Sequence, residues 1–233
     1  MLILSIETAT EHAGVALFED RAERAAWRSD TDRDLCSRLA EEVAAVLSRA
    51  SVPFDELDLL TVGLGPGSFT SLRIGLATAK AIALARDIPL VGVSSLEAMS
   101  WQQRDAKTDL CPLLDARRGE LYAALHRIES SGPRALLPPF LAEAGALADR
   151  LLSHDRPVTV FGHLTAEQRA PFASRGPQLA VLDDSPFPDP TAVAALGRQR
   201  YETHGPDDLA ALRPIYVRKS YAEESFDIDL GLR

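Results

Sequence analysis

Residues 2–29 read LILSIETAT, EHAGVALFED and RAERAAWRS, and this opening of the chain indicates the fold class. The first run, Leu2 to Thr8, is apolar enough to form a central strand. His12 to Glu19 can return beside it after a polar turn, and Ala22 to Ser29 can form a third strand. Three strands in immediate succession predict an antiparallel start to the sheet.

Helices and strands alternate after this opening. From Cys36 to Ala50, apolar residues recur at steps of three and four with Arg and Glu between them, which predicts an amphipathic helix that ends before Pro53. Leu57 to Leu64 is a predicted buried strand, Leu72 to Arg86 a helix, and Leu90 to Val93 a short strand. The predicted order is therefore βββαβαβ.

A polar stretch from Gln102 to Lys107 predicts a boundary between two lobes, residues 1–104 and residues 105–233. The second lobe opens like the first, with strands over Leu110 to Leu114 and Glu120 to Ile128. A Pro-rich segment, Pro133 to Pro139, is interpreted as a loose connection between elements. Three more elements are predicted: a helix over Ala142 to Leu152, a strand over Val158 to Phe161 and a helix over Thr191 to His204.

Composition limits the classes of function. The chain has 233 residues, of which 46% are hydrophobic, and no run is long enough for a membrane-spanning helix, so we expect a cytoplasmic protein. The net charge of −9 predicts repulsion from nucleic acid unless cations cluster locally. Cys36 and Cys111 lack the spacing of a zinc site, and we interpret both as reduced packing residues.

The segment Gly65 to Ser71 joins a predicted strand to a predicted helix and contains two glycines, a proline and three hydroxyl side chains. Such a turn can direct backbone N–H groups at an anion, although it lacks the lysine of a P-loop. The alternative is that a serine or threonine caps the helix and the glycines permit the tight turn.

The helix over Leu72 to Arg86 is apolar on almost every side, and small residues recur at four-residue steps in it. One interpretation is a helix packed between its own sheet and a neighbouring helix. The other is that one face is covered by a second polypeptide.

Catalytic patterns are scarce. The five histidines include no HxxxH or HExxH pair, neither cysteine has a neighbouring histidine, and no GxSxG occurs. Glu7 and Asp115 each end a predicted strand, as the paired carboxylates of a two-lobed phosphotransferase would. Strand-end capping is the alternative interpretation for both.

Five motifs together resemble the TsaB (YeaZ) family, in the right order and over nearly the whole chain. They are Leu4-Ser5-Ile6-Glu7-Thr8-Ala9-Thr10, Gly65-Pro66-Gly67-Ser68-Phe69-Thr70-Ser71-Leu72-Arg73-Ile74-Gly75, Gly92-Val93-Ser94-Ser95-Leu96, Asp115-Ala116-Arg117-Arg118-Gly119-Glu120-Leu121-Tyr122 and Pro214-Ile215-Tyr216-Val217-Arg218. The resemblance implies an α/β protein of the ASKHA class, the actin-like and RNase H-like fold. Each of its two related lobes would have a mixed βββαβα sheet, and the C-terminal tail would return to lobe 1.

The resemblance also implies a function. Members of the family are non-catalytic scaffold and activating subunits that heterodimerise with TsaD, which transfers threonylcarbamoyl to the adenosine beside the tRNA anticodon. The ATPase TsaE would join the complex and TsaC would supply the adenylate. Without TsaD the chain would homodimerise, and it would reach tRNA only through the complex. The alternative from another class is a small ASKHA ATPase or phosphotransferase; no metal or cofactor is expected for the scaffold.

Two sets of residues follow from the resemblance. The expected partner or dimer interface comprises Leu39, Val43, Leu47, Leu72, Ile74, Gly75, Leu76, Ala79, Ile82 and Ala83. The expected vestigial nucleotide cleft comprises Glu7, Thr8, Thr10, Gly65, Gly67, Ser68 and Asp115. The chain departs from the family pattern in three places, one of them the region Arg33-Asp34-Leu35-Cys36, which lacks the histidine that many members carry there. Glu7 stands where Asp is usual, so its longer side chain would enter the metal-nucleotide space, and Ser71 stands where Gly is usual.

Overall fold

The computed structural model describes residues 1–29, 34–173, 175–182 and 185–218. Within these residues, ten strands form two five-stranded sheets, and six α-helices pack on them. The strands of sheet 1 are β1 (Leu2–Glu7), β2 (Gly14–Glu19), β3 (Ala22–Arg28), β4 (Leu59–Gly63) and β5 (Leu90–Val93). Those of sheet 2 are β6 (Asp109–Asp115), β7 (Glu120–Glu129), β8 (Gly132–Glu143), β9 (Val158–Phe161) and β10 (Leu179–Val181). Within the described residues, no helix has the length and apolar character needed to cross a membrane.

The two sheets have the same topology. Sheet 1 has the order β3-β2-β1-β4-β5, in which β1 pairs antiparallel with β2 and parallel with β4. Sheet 2 has the order β10-β9-β6-β7-β8, in which β6 pairs antiparallel with β7 and parallel with β9. Each lobe therefore repeats one pattern, three antiparallel strands followed by two parallel ones. The predicted antiparallel opening and the two related lobes are confirmed.

Two helices cover the outer face of each sheet. Helices α1 (Leu35–Ala50) and α2 (Phe69–Arg86) pack on sheet 1, because their apolar residues form one core with the strand residues Leu4, Val15 and Leu60. Helices α4 (Ala144–Leu152) and α5 (Ala166–Ala173) cover sheet 2 in the same way. The sequence did not reveal α5, because Pro171 lies inside it.

The remaining two helices cross between the lobes. Helix α3 (Ser95–Gln102) follows β5 of sheet 1 but packs on sheet 2, where Leu96 and Met99 belong to the same hydrophobic core as Phe161. Helix α6 (Pro190–His204) follows sheet 2 in the chain but packs on sheet 1, where Ala194 joins the core around Leu59. The last described segment also lies against lobe 1, since the Ile215 amide donates to the Leu64 carbonyl at 2.8 Å.

One predicted element of lobe 2 needs correction. The segment Pro133 to Pro139 is not a loose connection, because it lies in β8, which pairs antiparallel with β7. A strand at the edge of a sheet tolerates proline because one side of its backbone has no partner strand. The pairing is irregular between Ala123 and His126.

Candidate functional site

The candidate site is a cleft between the lobes with a volume of about 630 Å³. Lobe 1 contributes the loop after β1 and the glycine turn before α2, and lobe 2 contributes the turn between β6 and β7 and the start of α5. Thr10, Gly67, Ser68 and Asp115 of the expected cleft residues line it. Glu7, Thr8 and Gly65 are buried behind this lining.

Glu7 lies behind the cleft and not in it, which corrects the expectation that its longer side chain would fill the nucleotide space. Its side chain is fully buried; Oε1 accepts the Ala9 amide at 2.7 Å and Oε2 accepts the Ser95 hydroxyl at 2.8 Å. Burial raises the pKa of this carboxyl to about 7, against the lowering effect of the two hydrogen bonds. The group is thus committed to internal contacts.

The glycine turn caps the start of α2 and allows the loop after β1 to pack closely against it. The Ser71 amide donates to the Ser68 Oγ at the start of α2, although at a long 3.4 Å. A side chain at Gly67 would meet the Ala9 carbonyl oxygen, since a Cβ there would lie 2.1 Å from it. Gly65 has a φ of 88°, in the left-handed region that favours glycine. This geometry agrees with the capping interpretation of Gly65 to Ser71.

Thr8 fixes the position of α2 relative to β1. Its hydroxyl donates to the Ser71 carbonyl at 2.9 Å, and a Cβ on Gly75 would lie 2.2 Å from its Oγ1. Thr10, by contrast, lines the cleft and accepts the His12 amide at 3.2 Å. The two threonines of the first motif therefore have different surroundings.

Asp115 ends β6 at the opposite wall. Its Oδ1 accepts the Arg117 amide at 3.0 Å and the Gln168 side chain at 3.3 Å. Arg117, Arg118 and Gly119 all have positive φ, at 65°, 57° and 80°. The carboxylate thus holds a tight turn that carries two arginines into the lining of the cleft.

The sequence reasoning missed most of the basic and aromatic groups at this cleft. Arg117, Arg118 and Arg218 line it, with Phe69, Tyr122 and Phe187. Three rings also stack across the lobes: Phe187 lies 3.6 Å from His12 and 3.5 Å from His163, centroid to centroid. The three cations between Arg213 and Lys219 were the available signal, although Lys219 itself lies outside the described residues. Cations that are close together in the sequence do not reveal which surface of the fold their side chains will face.

The expected interface residues are mostly covered by the chain itself. Seven of the ten have buried side chains and Gly75 is buried as well, whereas Ile74 and Ile82 are partly buried against the same core. The buried seven are Leu39, Val43, Leu47, Leu72, Leu76, Ala79 and Ala83. The solvent-facing side of α2 instead carries Ala77, Ala81 and Leu84, the last 71% exposed. The first interpretation of the apolar helix, burial by its own sheet and neighbouring helix, accounts for the buried residues.

One group of the described residues has the spacing of a metal site, but it lies away from the cleft. The ligand atoms of Asp109, His154 and Asp155 lie within 4.8 Å of one another. Arg127 already donates to both oxygens of Asp109, at 2.8 and 2.6 Å, and lowers the pKa of that carboxyl against the opposing effect of burial. These contacts account for the cluster as an ion-pair network that joins β6, β7 and the end of α4.

The repeated topology, the crossing helices and the interlobe cleft define a two-lobed protein of the ASKHA class. The fold agrees with solved structures. YeaZ from Pseudomonas aeruginosa aligns over 92% of this chain and 99% of its own, with a TM-score of 0.77 and 21% identity. Component A of (R)-2-hydroxyglutaryl-CoA dehydratase from Acidaminococcus fermentans aligns over 87% of this chain and 99% of its own, with a TM-score of 0.52 and 8% identity.

Within this class, the chain belongs to the TsaB (YeaZ) family. The tRNA threonylcarbamoyladenosine biosynthesis protein TsaB of Bacillus subtilis is 29% identical over 96% of both chains. The protein of the same name from Escherichia coli is 36% identical over 57% of this chain and 58% of its own. The TsaD family, described as tRNA N6-adenosine threonylcarbamoyltransferase, matches residues 29–139. The resemblance read from the motifs is thereby confirmed.

Proposed function

We propose that the chain is a scaffold and activating subunit, with no catalysis of its own, of the complex that forms N6-threonylcarbamoyladenosine next to the anticodon of tRNA. The observation that carries the proposal is the similarity to TsaB of B. subtilis along 96% of both chains. Similarity along the whole length supports a shared role, and not only a shared lobe.

The chemistry of the cleft supports a non-catalytic role. A phosphotransferase of this architecture needs carboxylates that can reach a metal-bound nucleotide. Here Glu7 is buried against Ala9 and Ser95, and Asp115 accepts hydrogen bonds from the Arg117 amide and Gln168. Both carboxylates are used to hold the local backbone and side chains.

The partner in this proposal is TsaD, with TsaE joining the complex and TsaC supplying the adenylate in the cytoplasm. The match of residues 29–139 to the TsaD family supports a paralogous pairing, in which two similar lobes pack together. The exposed side of α2, carrying Ala77, Ala81 and Leu84, is the surface proposed for TsaD and for a homodimer of the chain alone. Contact with tRNA occurs through the complex, in keeping with the net charge of −9.

Reconstitution tests this function. The purified chain is mixed with TsaD, TsaE, TsaC, ATP, threonine, bicarbonate and tRNA, and threonylcarbamoyladenosine is measured by mass spectrometry of digested tRNA. We expect co-elution with TsaD and modification that depends on adding this chain. Absence of both results contradicts the proposal. Turnover of Mg-ATP by the isolated chain would instead support an ATPase.

A further inference from the structure

The interlobe cleft has the chemistry of a site for an acidic and partly apolar segment. Although the whole chain has a net charge of −9, three arginines and three aromatic side chains line this cleft. Two acids also line it, Glu11 and Asp115, but Asp115 already accepts hydrogen bonds from the Arg117 amide and Gln168. Carboxylates bind arginine by charge-assisted hydrogen bonds, and apolar side chains pack on aromatic rings.

The backbone conformation of the β6–β7 turn places two arginines where they can bind a carboxylate. Arg117 and Arg118 have positive φ, an arrangement that costs non-glycine residues about 1 kcal/mol or more each and is found preferentially at binding sites. The Arg117 side chain is 85% exposed and its guanidinium lies 3.7 Å from Asp115, at a wall that also contains Arg218, which is paired with Glu120. The turn therefore presents cationic groups at considerable conformational cost.

The described end of the chain leads directly to this cleft. Ile215 is hydrogen-bonded to Leu64 of lobe 1, and Tyr216 packs against Phe69 with a centroid distance of 5.1 Å. Arg218 then donates to the Ala116 carbonyl of lobe 2 at 3.0 Å. The segment thus crosses from one lobe to the other along the cleft, and residues 219–233 follow immediately.

The sequence of those residues complements the cleft. They read KSYAEESFDIDLGLR, with Glu223, Glu224, Asp227 and Asp229 in seven positions that contain no cation. Phe226, Ile228 and Leu230 alternate with the last two acids. Five residues lead from Arg218 to Glu223 and span up to about 17 Å, which is enough to enter the cleft from its mouth.

We propose that residues 223–230 of this chain bind in its own interlobe cleft, with their carboxylates at Arg117 and Arg118 and their apolar side chains at the aromatic wall. The segment then competes with any other anionic ligand for the cleft. This inference goes beyond the proposed function, since it holds whether or not the chain activates TsaD.

Disulfide trapping in the full chain tests the inference. Glu11→Cys, in the cleft, is combined with Ser225→Cys in a Cys36→Ser background; Cys111 is fully buried. The matched control pairs Ser225→Cys with Ser48→Cys, at an exposed position of α1 outside the cleft. With oxidised glutathione, we expect an intramolecular disulfide to form at least several-fold faster in the first variant, as read from intact mass and gel mobility.

Charge reversal distinguishes specific binding from proximity. Arg117→Glu with Arg118→Glu should slow trapping several-fold, and adding Glu223→Arg with Glu224→Arg should restore the rate; circular dichroism confirms that each variant is folded. Equal trapping rates in the cleft variant and the α1 control overturn the inference. A trapping rate that stays the same after charge reversal also overturns it. A disulfide found only between two chains also overturns it, because the segment would then occupy the cleft of a second copy.

Discussion

At the scale of single residues, Glu7 gives the molecule a distinctive dependence on pH. Its pKa is about 7 in the folded chain and 4.5 when unfolded, because burial disfavours the carboxylate. The folded state therefore binds more protons between these values, and its stability falls as pH rises from 4.5 through 7. The effect is at most about 3 kcal/mol.

Glu7→Gln should remove this dependence. Glutamine keeps an acceptor for the Ala9 amide and a polar group for Ser95, but it carries no charge at any pH. In urea unfolding we expect the variant to exceed the parent by about 2–3 kcal/mol at pH 8 and to differ little at pH 4.5. The control, Glu56→Gln at an exposed position, should show no such trend. A difference that stays constant with pH would contradict the account.

Thr61 is a second residue whose polar group works against stability. Its Oγ1 is buried and has no hydrogen-bond partner in the part of the chain that the structure describes. The side chain faces α6 at Gly197, where a Cβ would lie 2.4 Å from Thr61 Cγ2, so the helix packs closely on β4. The shape of the side chain is needed at this contact, whereas its hydroxyl is not.

Thr61→Val should therefore stabilise the chain by about 1–2 kcal/mol, since it removes an unpaired buried hydroxyl and keeps the branched shape. The measurement is the midpoint of chemical denaturation. Thr159→Val is the matched control, because the Thr159 hydroxyl is hydrogen-bonded to that of Thr108 and its loss should destabilise. If both variants lose stability alike, Thr61 has a partner that the described contacts do not reveal.

At the scale of elements, α2 shows how two faces of one apolar helix differ. Leu76 and Ala79 are buried under it, so charged residues there would unfold lobe 1 and could not report on an interface. Ala77 and Ala81 face solvent on the other side, with the exposed Leu84 next along the helix. The proposed dimer surface can be tested only on this outer side.

Ala81→Arg should abolish the proposed homodimer and leave folding intact, because a long cation at a close helix contact prevents the approach of a second chain. Sedimentation equilibrium reports the oligomeric state and thermal unfolding reports stability. Ala170→Arg, at an exposed alanine on α5, should leave the dimer unchanged. A variant that stays dimeric would exclude this side of α2 from the interface.

Local sequence patterns predicted the elements whose signals lie within a few residues. The three opening strands, α1, α2 and α4 follow from apolar spacing, and all are present. Helix α3 was not predicted, because its eight residues pack between the lobes and show no single apolar face. Strand β10 was not predicted, because it has only three residues. The place of Glu7 at a strand end is a local feature. Its orientation depends on Ser95, 88 residues away, which no local pattern reveals.

At the scale of the whole molecule, the exchange of α3 and α6 between lobes means that neither sheet is complete by itself. Sheet 1 buries Ile3, Phe18, Leu59 and Val91 in a core with Ala194 of α6. Each such large side chain contributes about 1.5–3 kcal/mol when removed from water. A lobe bounded at residue 104 would expose this face, although it contains all the strands of sheet 1.

A fragment of residues 1–104 should consequently fail to unfold cooperatively and should bind a dye for exposed apolar surface. Joining residues 185–218 to it through a flexible linker should restore a cooperative transition, because α6 again covers the sheet. The same fusion with Val193→Asp and Leu196→Asp should not, since both side chains are buried in the intact chain. Calorimetry of the three proteins decides the matter. Cooperative unfolding of residues 1–104 alone would show that sheet 1 folds without the cover that α6 provides in the intact chain.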